Sequence, residues 1–114
     1  MHVYRNGILI GRTTVSTGSK GHATPSGVFT ILEKKKDHSS KKYGNAPMPN
    51  MQRLTWSGIA MHSGNLPGYP ASHGCVRTSY ADQDWLFPLI PRGTPVVVRS
   101  GGPVIDPGTD APLA

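Results

Sequence analysis

The chain has 114 residues, with 12 Lys and Arg against 6 Asp and Glu, and therefore a formal net charge of +6. This length allows one domain with a modest core and is too short for two. A single cysteine excludes an intramolecular disulfide, and no apolar run approaches the ~18 residues of a membrane span. The 14 glycines and 11 prolines favour turns and short strands over long helices.

The first predicted elements form a hairpin, in the sequence VYRNGILIGRTTVSTG from Val3 onward. Asn6 and Gly7 tolerate the positive φ angles of a tight type I′ turn, and β-branched residues flank them. The chain opens inside this first strand, so we expect either an abrupt natural start or the removal of an upstream segment. After the turn-rich segment GHATPSG, the alternation in VFTILEK predicts a half-buried strand from Val28 to Lys34.

A polar segment separates this strand from the next predicted one. Residues 37–53 contain Pro47 and Pro49 and are predicted to form a long loop. The charged run EKKKDHSSKK, residues 33–42, is typical of a solvated surface, and without interleaved aromatic residues it gives no support to nucleic-acid binding. It would still attract a polymer that carries carboxylates or phosphates.

The second half of the chain contains the remaining predicted elements. LTWSGIAM, residues 54–61, predicts a strand with Trp56 and Ile59 in the core and His62 at its end. A Gly/Pro-rich connection, residues 63–74, follows. SYADQDWLF predicts a short helix capped by Ser79, with Asp82 in the first turn, and Pro88 is expected to end the regular helix just before Leu89. One face of this helix is predicted to be apolar, with Ala81, Trp85 and Leu89. GTPVVVRS predicts a closing strand, and residues 101–114 a loose tail.

The lone Cys75 raises the main chemical question. It can be an inert buried side chain, a metal ligand or a nucleophile. A nucleophilic thiol needs a base within hydrogen-bond reach, and the connection that starts after His62 can fold back to supply one. The tight turn at His73, Gly74 and Cys75 can aim two or three backbone N–H groups at an oxyanion. Ser63 can orient the imidazole of His62.

Each of these residues also has a plainer interpretation. His62 alone is most simply a strand-end histidine, and Arg77 a surface cation. His73 and Cys75 share a face and resemble half of a zinc site, but zinc requires three or four ligands and no further ligands stand at suitable spacing. His22 and His38 lie in loops without a partner pattern. We therefore predict no metal and no cofactor.

A longer segment carries a family resemblance. IAMHSGNLPGYPASHGCVR closely resembles the signature of the L,D-transpeptidase (YkuD-type) catalytic domain: a histidine, a spacer, then Ser/Thr-His-Gly-Cys, an apolar residue and Arg or Asn. VSTGSKGHATPSGVFTI and GTPVVV resemble further parts of that domain, so the resemblance covers residues from about 3 to 99. It implies a mostly-β, compact, β-sandwich-like fold with one short helix after the cysteine, over residues 1–100.

The resemblance also implies an activity. Cys75 would attack the peptidoglycan stem tetrapeptide, release D-Ala and form a thioester, which an amine of a neighbouring stem takes up in a 3→3 cross-link. His62 matches the proton acceptor and donor of the family. Ser72, His73 and Gly74 match its site-shaping, oxyanion-binding turn, and Arg77 would grip a substrate carboxylate. Carbapenem-type β-lactams acylate the matching cysteine. The expected setting is the cell envelope, outside the cytoplasm, with the protein as a monomer.

The sequence leaves alternatives open. The spacer between His62 and Ser72 is only nine residues, at the short end of the pattern, so the lid over the acceptor side is expected to be reduced. A hydrolase of the same fold, either an L,D-carboxypeptidase or a cross-link-cleaving peptidase, would use the same residues with water as acceptor. A non-catalytic cell-wall binding module and a thiol enzyme with another substrate are the other two possibilities.

Overall fold

The computed structural model describes residues 1–41 and 44–99 in full, and beyond them only the backbone of two short strands. The strands and the single helix are, in chain order, β1 His2–Arg5, β2 Ile8–Arg12, β3 Val15–Ser16, β4 Gly27–Thr30, β5 Glu33–Lys35, β6 Ser39–Ser40, β7 Ala46–Pro47, β8 Met51–Arg53, β9 Ala60–Ser63, β10 Val76–Thr78, α1 Tyr80–Leu89, β11 Pro95–Val98, β12 Val104–Ile105 and β13 Pro112–Leu113. The predicted fold class, mostly β with one short helix after Cys75, is confirmed.

The largest sheet has five strands in the order β3-β10-β9-β8-β5. Strand β9 is central, and its four residues Ala60–Ser63 are all buried. It pairs antiparallel with β8 and parallel with β10. Parallel pairing requires a long crossover between the two strands. Residues 64–75 form that crossover without a helix, and they end at Cys75.

The N-terminal hairpin is confirmed. β1 and β2 pair antiparallel, and Asn6 and Gly7 between them have φ angles of 51° and 77°. A type I′ turn needs positive φ at both central residues, which Asn and Gly allow at little cost. The closing strand β11 also forms as predicted and pairs antiparallel with β4.

Helix α1 begins at the predicted cap, where the Ser79 side chain accepts a hydrogen bond from the Asp82 N–H. Its end differs from the prediction, because Pro88 lies inside the last turn and the helix runs to Leu89. The missing N–H of a proline disturbs a helix least near a terminus where regular bonding already ends. The ammonium of Lys34 donates hydrogen bonds to the carbonyls of Phe87 and Ile90 at this end.

The predicted apolar face of α1 is partly wrong. Trp85 and Leu89 pack against the core, but Ala81 is exposed and the fully buried helix residues are Gln83 and Leu86. The main core is built from residues distant in sequence: Val3, Ile31, Leu54, Met61, Val76, Leu86 and Ile90. A second, smaller cluster contains Met48, Met51 and Ala60, and Cys75 packs against it.

Three further predictions need correction. Residues 54–61 do not form one strand: residues 54–59 form a turn between β8 and β9, and Trp56 is 71% exposed instead of buried. The predicted strand over residues 28–34 divides between β4 and β5, which belong to different sheets. The predicted loop over residues 37–53 contains the short strands β6, β7 and β8. In the first two segments, the chain changes direction within a run whose local hydrophobic pattern predicts one continuous strand.

The charged run is also less uniform than predicted. Lys34 is half-buried, and its ammonium lies 4.3 Å from the centre of the Phe87 ring. Burial lowers the pKa of Lys34. Lys35 and Lys36 are exposed, as predicted for a solvated surface. Residue 42 and most of the predicted tail, residues 101–114, lie outside the described residues; within the tail, β12 and β13 pair antiparallel.

Candidate active site

The parallel pairing of β9 and β10 brings the signature residues together. The register sets Met61 opposite Val76, His62 opposite Arg77 and Ser63 opposite Thr78. Cys75 is the residue immediately before β10, one step from this register. The two ends of the signature, Ala60–Ser63 and Val76–Thr78, are therefore separated along the chain but adjacent in the sheet. In the fold, the spacer of the signature forms the crossover between β9 and β10.

His62 is 8% exposed, and its ring has a defined orientation. The Nδ1 atom lies 2.8 Å from the Ser63 carbonyl oxygen. A carbonyl oxygen only accepts hydrogen bonds, so Nδ1 carries the proton and Nε2 keeps the free lone pair. Burial lowers the pKa of His62, the Ser63 hydrogen bond opposes that shift, and the charge of Arg77 adds to it. The imidazole is therefore neutral near pH 7, with Nε2 able to accept a proton.

A chain of buried polar groups fixes the strand that carries His62. Thr78 Oγ1 donates to the His62 carbonyl at 3.3 Å and accepts from Gln83 Nε2 at 2.7 Å. Gln52 Nε2 in turn donates to Gln83 Oε1 at 2.9 Å. Strands β8, β9, β10 and helix α1 are thus tied together behind the imidazole. The network is incomplete at one end, because the buried Oε1 atom of Gln52 has no hydrogen-bond partner.

Cys75 is half-buried against the apolar cluster of Met48, Met51 and Ala60. Its thiol points toward the Gly58 carbonyl, with Sγ 3.5 Å from the oxygen. Burial raises the pKa of Cys75, and a backbone hydrogen bond from Ala60 opposes the shift. Cys75 is accordingly a thiol near pH 7, and it lines the same cleft as the neutral imidazole of His62.

The turn before Cys75 is closed by the Ser72 hydroxyl. Ser72 Oγ donates to the Cys75 carbonyl at 2.5 Å and accepts from the Gly74 N–H at 3.2 Å. Gly74 has a φ of 122°, and a Cβ atom there would lie 2.8 Å from the Ile59 Cδ1 atom. The backbone conformation therefore favours glycine at this position, and a Cβ atom would also require the Ile59 side chain to shift. The Gly74 N–H, which the sequence places among the expected oxyanion donors, is engaged with Ser72.

The other two predicted residues lie at the sides of this turn. His73 is exposed, and its ring meets that of His22 edge to face, with the centroids 5.0 Å apart. Arg77 is half-buried, and its Nη2 atom lies 3.5 Å from the Ala71 carbonyl. Part of the Arg77 guanidinium thus braces the crossover.

One cleft of about 570 Å³ contains His62, Cys75 and Arg77 in its wall, together with Ser63, Ser72 and His73. Two exposed aromatic residues that the sequence pattern did not assign to the site also line it: Trp56, 71% exposed, and Tyr80, 57% exposed. The Arg53 guanidinium lies 5.8 Å from the Trp56 ring centre. The Thr-Trp-Ser-Gly sequence around Trp56 is a turn signal that could have identified its exposure.

The part of the chain that the structure describes contains no candidate for a metal site and none for a membrane-spanning helix. No group of three or more His, Cys, Asp or Glu side chains there could hold a metal ion. No helix in that part is both long and apolar enough to cross a bilayer.

Together, the fold and the cleft define a mostly-β domain with an imidazole on strand β9 and a thiol immediately before the parallel strand β10. The chain belongs to the family of the L,D-transpeptidase catalytic domain (YkuD), whose model matches residues 1–98. It is 30% identical to L,D-transpeptidase 1 of Mycobacterium tuberculosis, over 84% of this chain and 45% of that protein. The chain thus spans less than half of the length of this relative.

Solved structures agree with this assignment. The L,D-transpeptidase (Yku) of Stackebrandtia nassauensis has a TM-score of 0.80 and 31% identity, over 95% of this chain and 52% of that one. The L,D-transpeptidase LdtMt1, solved in complex with imipenem, has a TM-score of 0.77 and 26% identity, over 86% of this chain and 53% of that one. The predicted family is therefore confirmed. The roles of the individual site residues stay predictions.

Proposed function

We propose that this protein is a cysteine-dependent L,D-transpeptidase that acts on peptidoglycan stem tetrapeptides. The observation that carries the proposal is the shared cleft of Cys75 and His62 in a domain of this family. A free thiol and a neutral imidazole, with the imidazole proton on Nδ1 and both groups lining one cleft, are the groups that nucleophilic acyl transfer needs. The imipenem complex of LdtMt1 supports a carbapenem as an inhibitor that would acylate Cys75.

The first half-reaction forms a thioester. The Cys75 thiol gives its proton to His62 Nε2 as Sγ attacks the carbonyl carbon between stem residues three and four. The carbonyl electron pair moves to oxygen, and the resulting oxyanion collapses to expel the amine of D-Ala. His62 returns the proton to that amine, so the imidazole ends neutral and the acyl group stays on sulfur.

The second half-reaction regenerates the thiol. An amine of a neighbouring stem gives a proton to His62 and attacks the thioester, the C–S bond breaks, and sulfur takes the proton back. Water in place of the amine would make the protein an L,D-carboxypeptidase or a cross-link-cleaving peptidase, the second candidate. Most of residues 65–70, between the base and the turn, are exposed, which leaves the acceptor side open to either nucleophile.

The remaining site residues have supporting roles in this proposal. Ser63 orients the base through its carbonyl, and Ser72, His73 and Gly74 shape the turn that carries the nucleophile. The unbonded N–H groups of the Arg77 guanidinium, at the wall of the cleft, would bind a stem carboxylate. The stem peptides of the cell wall lie outside the cytoplasm, so we propose an extracytoplasmic site of action.

The test is to incubate the protein with a disaccharide-tetrapeptide and identify the products by mass spectrometry. We expect a cross-linked dimer with loss of one D-Ala. A tripeptide without dimer would establish the hydrolase instead. Neither product, together with an unmodified Cys75 after incubation with a carbapenem, would contradict both enzymes and favour the wall-binding module. The Cys75→Ala variant is the matched control.

A further inference from the structure

A second segment, residues 17–24, packs along the back of the turn that carries Cys75. The Ala71 and Ser72 N–H groups donate to the Thr17 carbonyl at 2.9 and 3.1 Å, and the Ser19 N–H donates to the Ser72 carbonyl at 2.8 Å. Gly18 and Ser72 form an isolated parallel bridge. These backbone bonds hold the start of the turn, residues 71 and 72, and leave its end to be fixed by side chains.

The end of the turn is held by the Thr24 hydroxyl. Thr24 Oγ1 donates to the Gly74 carbonyl at 2.7 Å and accepts from the Gly18 N–H at 2.9 Å. The hydroxyl thus has one donor and one acceptor partner, which fixes its direction. A Cβ atom on Gly18 would lie 1.9 Å from the His22 carbonyl oxygen, so the chain must be glycine there to approach Thr24 this closely.

The Gly74 carbonyl belongs to the same peptide unit as the Cys75 N–H. In a trans peptide these two groups point in opposite directions, and the structure contains no cis peptide bonds among the described residues. Because Thr24 holds the carbonyl from behind the turn, the Cys75 N–H is turned the other way. The Gly74 N–H is already bonded to Ser72 Oγ. The donor whose direction Thr24 sets is therefore the one adjacent to the attacking sulfur.

We propose that Thr24 is a positioning residue that aims the Cys75 N–H at the oxyanion formed during acylation. This inference rests on the acyl transfer proposed above. As Sγ bonds to the carbonyl carbon, the displaced electron pair becomes an oxyanion, and the Cys75 N–H donates a hydrogen bond to it. Thr24 touches neither substrate nor sulfur. Its contribution is the orientation of one peptide plane, which otherwise has rotational freedom at Gly74.

Two reactions of Cys75 distinguish a positioning role of Thr24 from a general loss of structure at the turn. Acylation by p-nitrophenyl acetate or by a carbapenem passes through an oxyanion, whereas alkylation by iodoacetamide replaces iodide at a saturated carbon and forms none. Loss of one aimed donor costs about 10²–10³ in rate in a serine enzyme, and partial misalignment should cost less. We expect Thr24→Val to slow acylation about tenfold to hundredfold and to leave the alkylation rate within about twofold of wild type.

The controls use matched substitutions. Thr24→Ser keeps the hydroxyl and should retain wild-type acylation. Thr94→Val removes a comparable hydroxyl, one that donates to the Pro91 carbonyl at 2.7 Å in an exposed turn, and should change neither rate. Thermal denaturation of each variant reports whether the fold is retained. If Thr24→Val does not fold, Thr24→Ala and Thr24→Cys repeat the comparison with smaller changes in volume.

The outcomes are distinct. Equal acylation in Thr24→Val and wild type, or an equal slowing of acylation and alkylation, would overturn the inference. Because p-nitrophenyl acetate contains no part of the cell wall, the ratio of the two rates tests Thr24 even if the tetrapeptide gives no product. The tetrapeptide could remain unchanged while Thr24→Val strongly lowers the ratio of the acylation rate to the alkylation rate. That result would reject the proposed substrate and keep the role of Thr24. Absence of any acylation at Cys75 in wild type would reject both.

Discussion

The two halves of the candidate active site are held by different means. His62 lies on β9, the central strand of the five-stranded sheet, with paired strands on both sides and every residue of the strand buried. Cys75 lies at the end of a turn that has one isolated bridge to its neighbouring segment and depends on the hydroxyls of Ser72 and Thr24. The proposed base is held by the sheet, and the proposed nucleophile by side-chain hydrogen bonds and a glycine.

This difference predicts how substitutions in the two halves should behave. Changes in β9 alter packing that the whole core shares, so they should lower stability and activity together. Changes in the turn remove a few hydrogen bonds at the surface of the cleft, so they should lower activity more than stability. Substitutions in β9 and in the turn test this difference between the two halves. Their expected effects on activity decrease with distance from Cys75.

The largest effect is expected for Cys75→Ala. The thiol makes one long contact, 3.5 Å to the Gly58 carbonyl oxygen, and packs against a small apolar cluster. The variant should lose all acylation, because the nucleophile is gone, and should keep a melting temperature close to that of wild type. Intact-mass spectrometry with a carbapenem measures the first property and thermal denaturation the second. A covalent carbapenem adduct on the variant would contradict the assignment of the nucleophile.

His62→Gln should reduce acylation about 10²-fold or more, the usual contribution of a positioned proton acceptor. Because His62 is buried on the central strand, this variant should also lose stability, unlike Cys75→Ala. His73→Gln is the matched control, since His73 is exposed at the turn and should matter less. Single-turnover acylation rates rank the two. The opposite ranking would exchange the roles of the two histidines.

The pH dependence of stability offers a second test of His62. Burial lowers the pKa of His62 in the folded protein below its ordinary value of 6.5. At a pH between the folded-state pKa and 6.5, the unfolded chain therefore binds more protons than the folded one. The stabilising contribution of neutral His62 is therefore complete above about pH 6.5 and is lost as the pH falls through the folded-state pKa. Denaturant titrations from pH 8 to pH 5 should show a smaller decline for His62→Gln than for wild type. Equal declines would place the proton uptake elsewhere.

Gly74→Ala should affect the turn half more locally. The positive φ of 122° and the 2.8 Å approach of Ile59 Cδ1 both oppose a Cβ atom. Such backbone strain costs about 1–3 kcal/mol, and relief by rotation of the peptide plane would misdirect the Cys75 N–H. We expect acylation to fall about tenfold or more, with a moderate loss of stability measured by urea denaturation. Gly68→Ala is the control, since its φ is also positive but nothing lies within 4 Å of the position that a Cβ atom would take there.

A smaller effect is expected for Arg77→Lys. A lysine cannot reproduce the planar fork that binds a carboxylate with two parallel hydrogen bonds. The variant should raise KM or lower kcat for a stem peptide with a free carboxylate, and the change should persist at high ionic strength because the site is half-buried. Steady-state kinetics at low and high salt provide the measurement. Wild-type behaviour would make Arg77 a brace for Ala71 and no more.

The smallest effect is expected from the exposed lysines of the charged run. Lys35 and Lys36 should contribute long-range attraction that salt screens over ~8–10 Å. Replacing both by Gln should weaken binding to polymeric cell wall at low salt only, and should leave turnover of a small stem peptide unchanged. Sedimentation with purified wall at two salt concentrations measures this. Lys34 is left intact, because its ammonium bonds to helix carbonyls.

The sequence by itself determined those elements whose conformation depends only on residues that are neighbours in the chain. The Asn6-Gly7 hairpin and the Ser79 cap formed as predicted, because positive φ and capping are properties of short segments. The spacing from His62 to Cys75, with its family signature, was also enough to predict which residues share the site. The local pattern was wrong for the strand over residues 54–61, where an alternating sequence hides the turn that exposes Trp56.

The tertiary structure alone decided how the proposed catalytic groups are held. Whether His62 and Cys75 line one cleft depends on the parallel register of β9 and β10, which is set by packing between residues far apart in the chain. The engagement of the Gly74 carbonyl by Thr24, 50 residues away, has no local signal either. Burial then moves the pKa values of His62 and Cys75 in opposite directions, because removal of water disfavours the charged form of each. A sequence specifies these contacts only through the fold that brings their partners together.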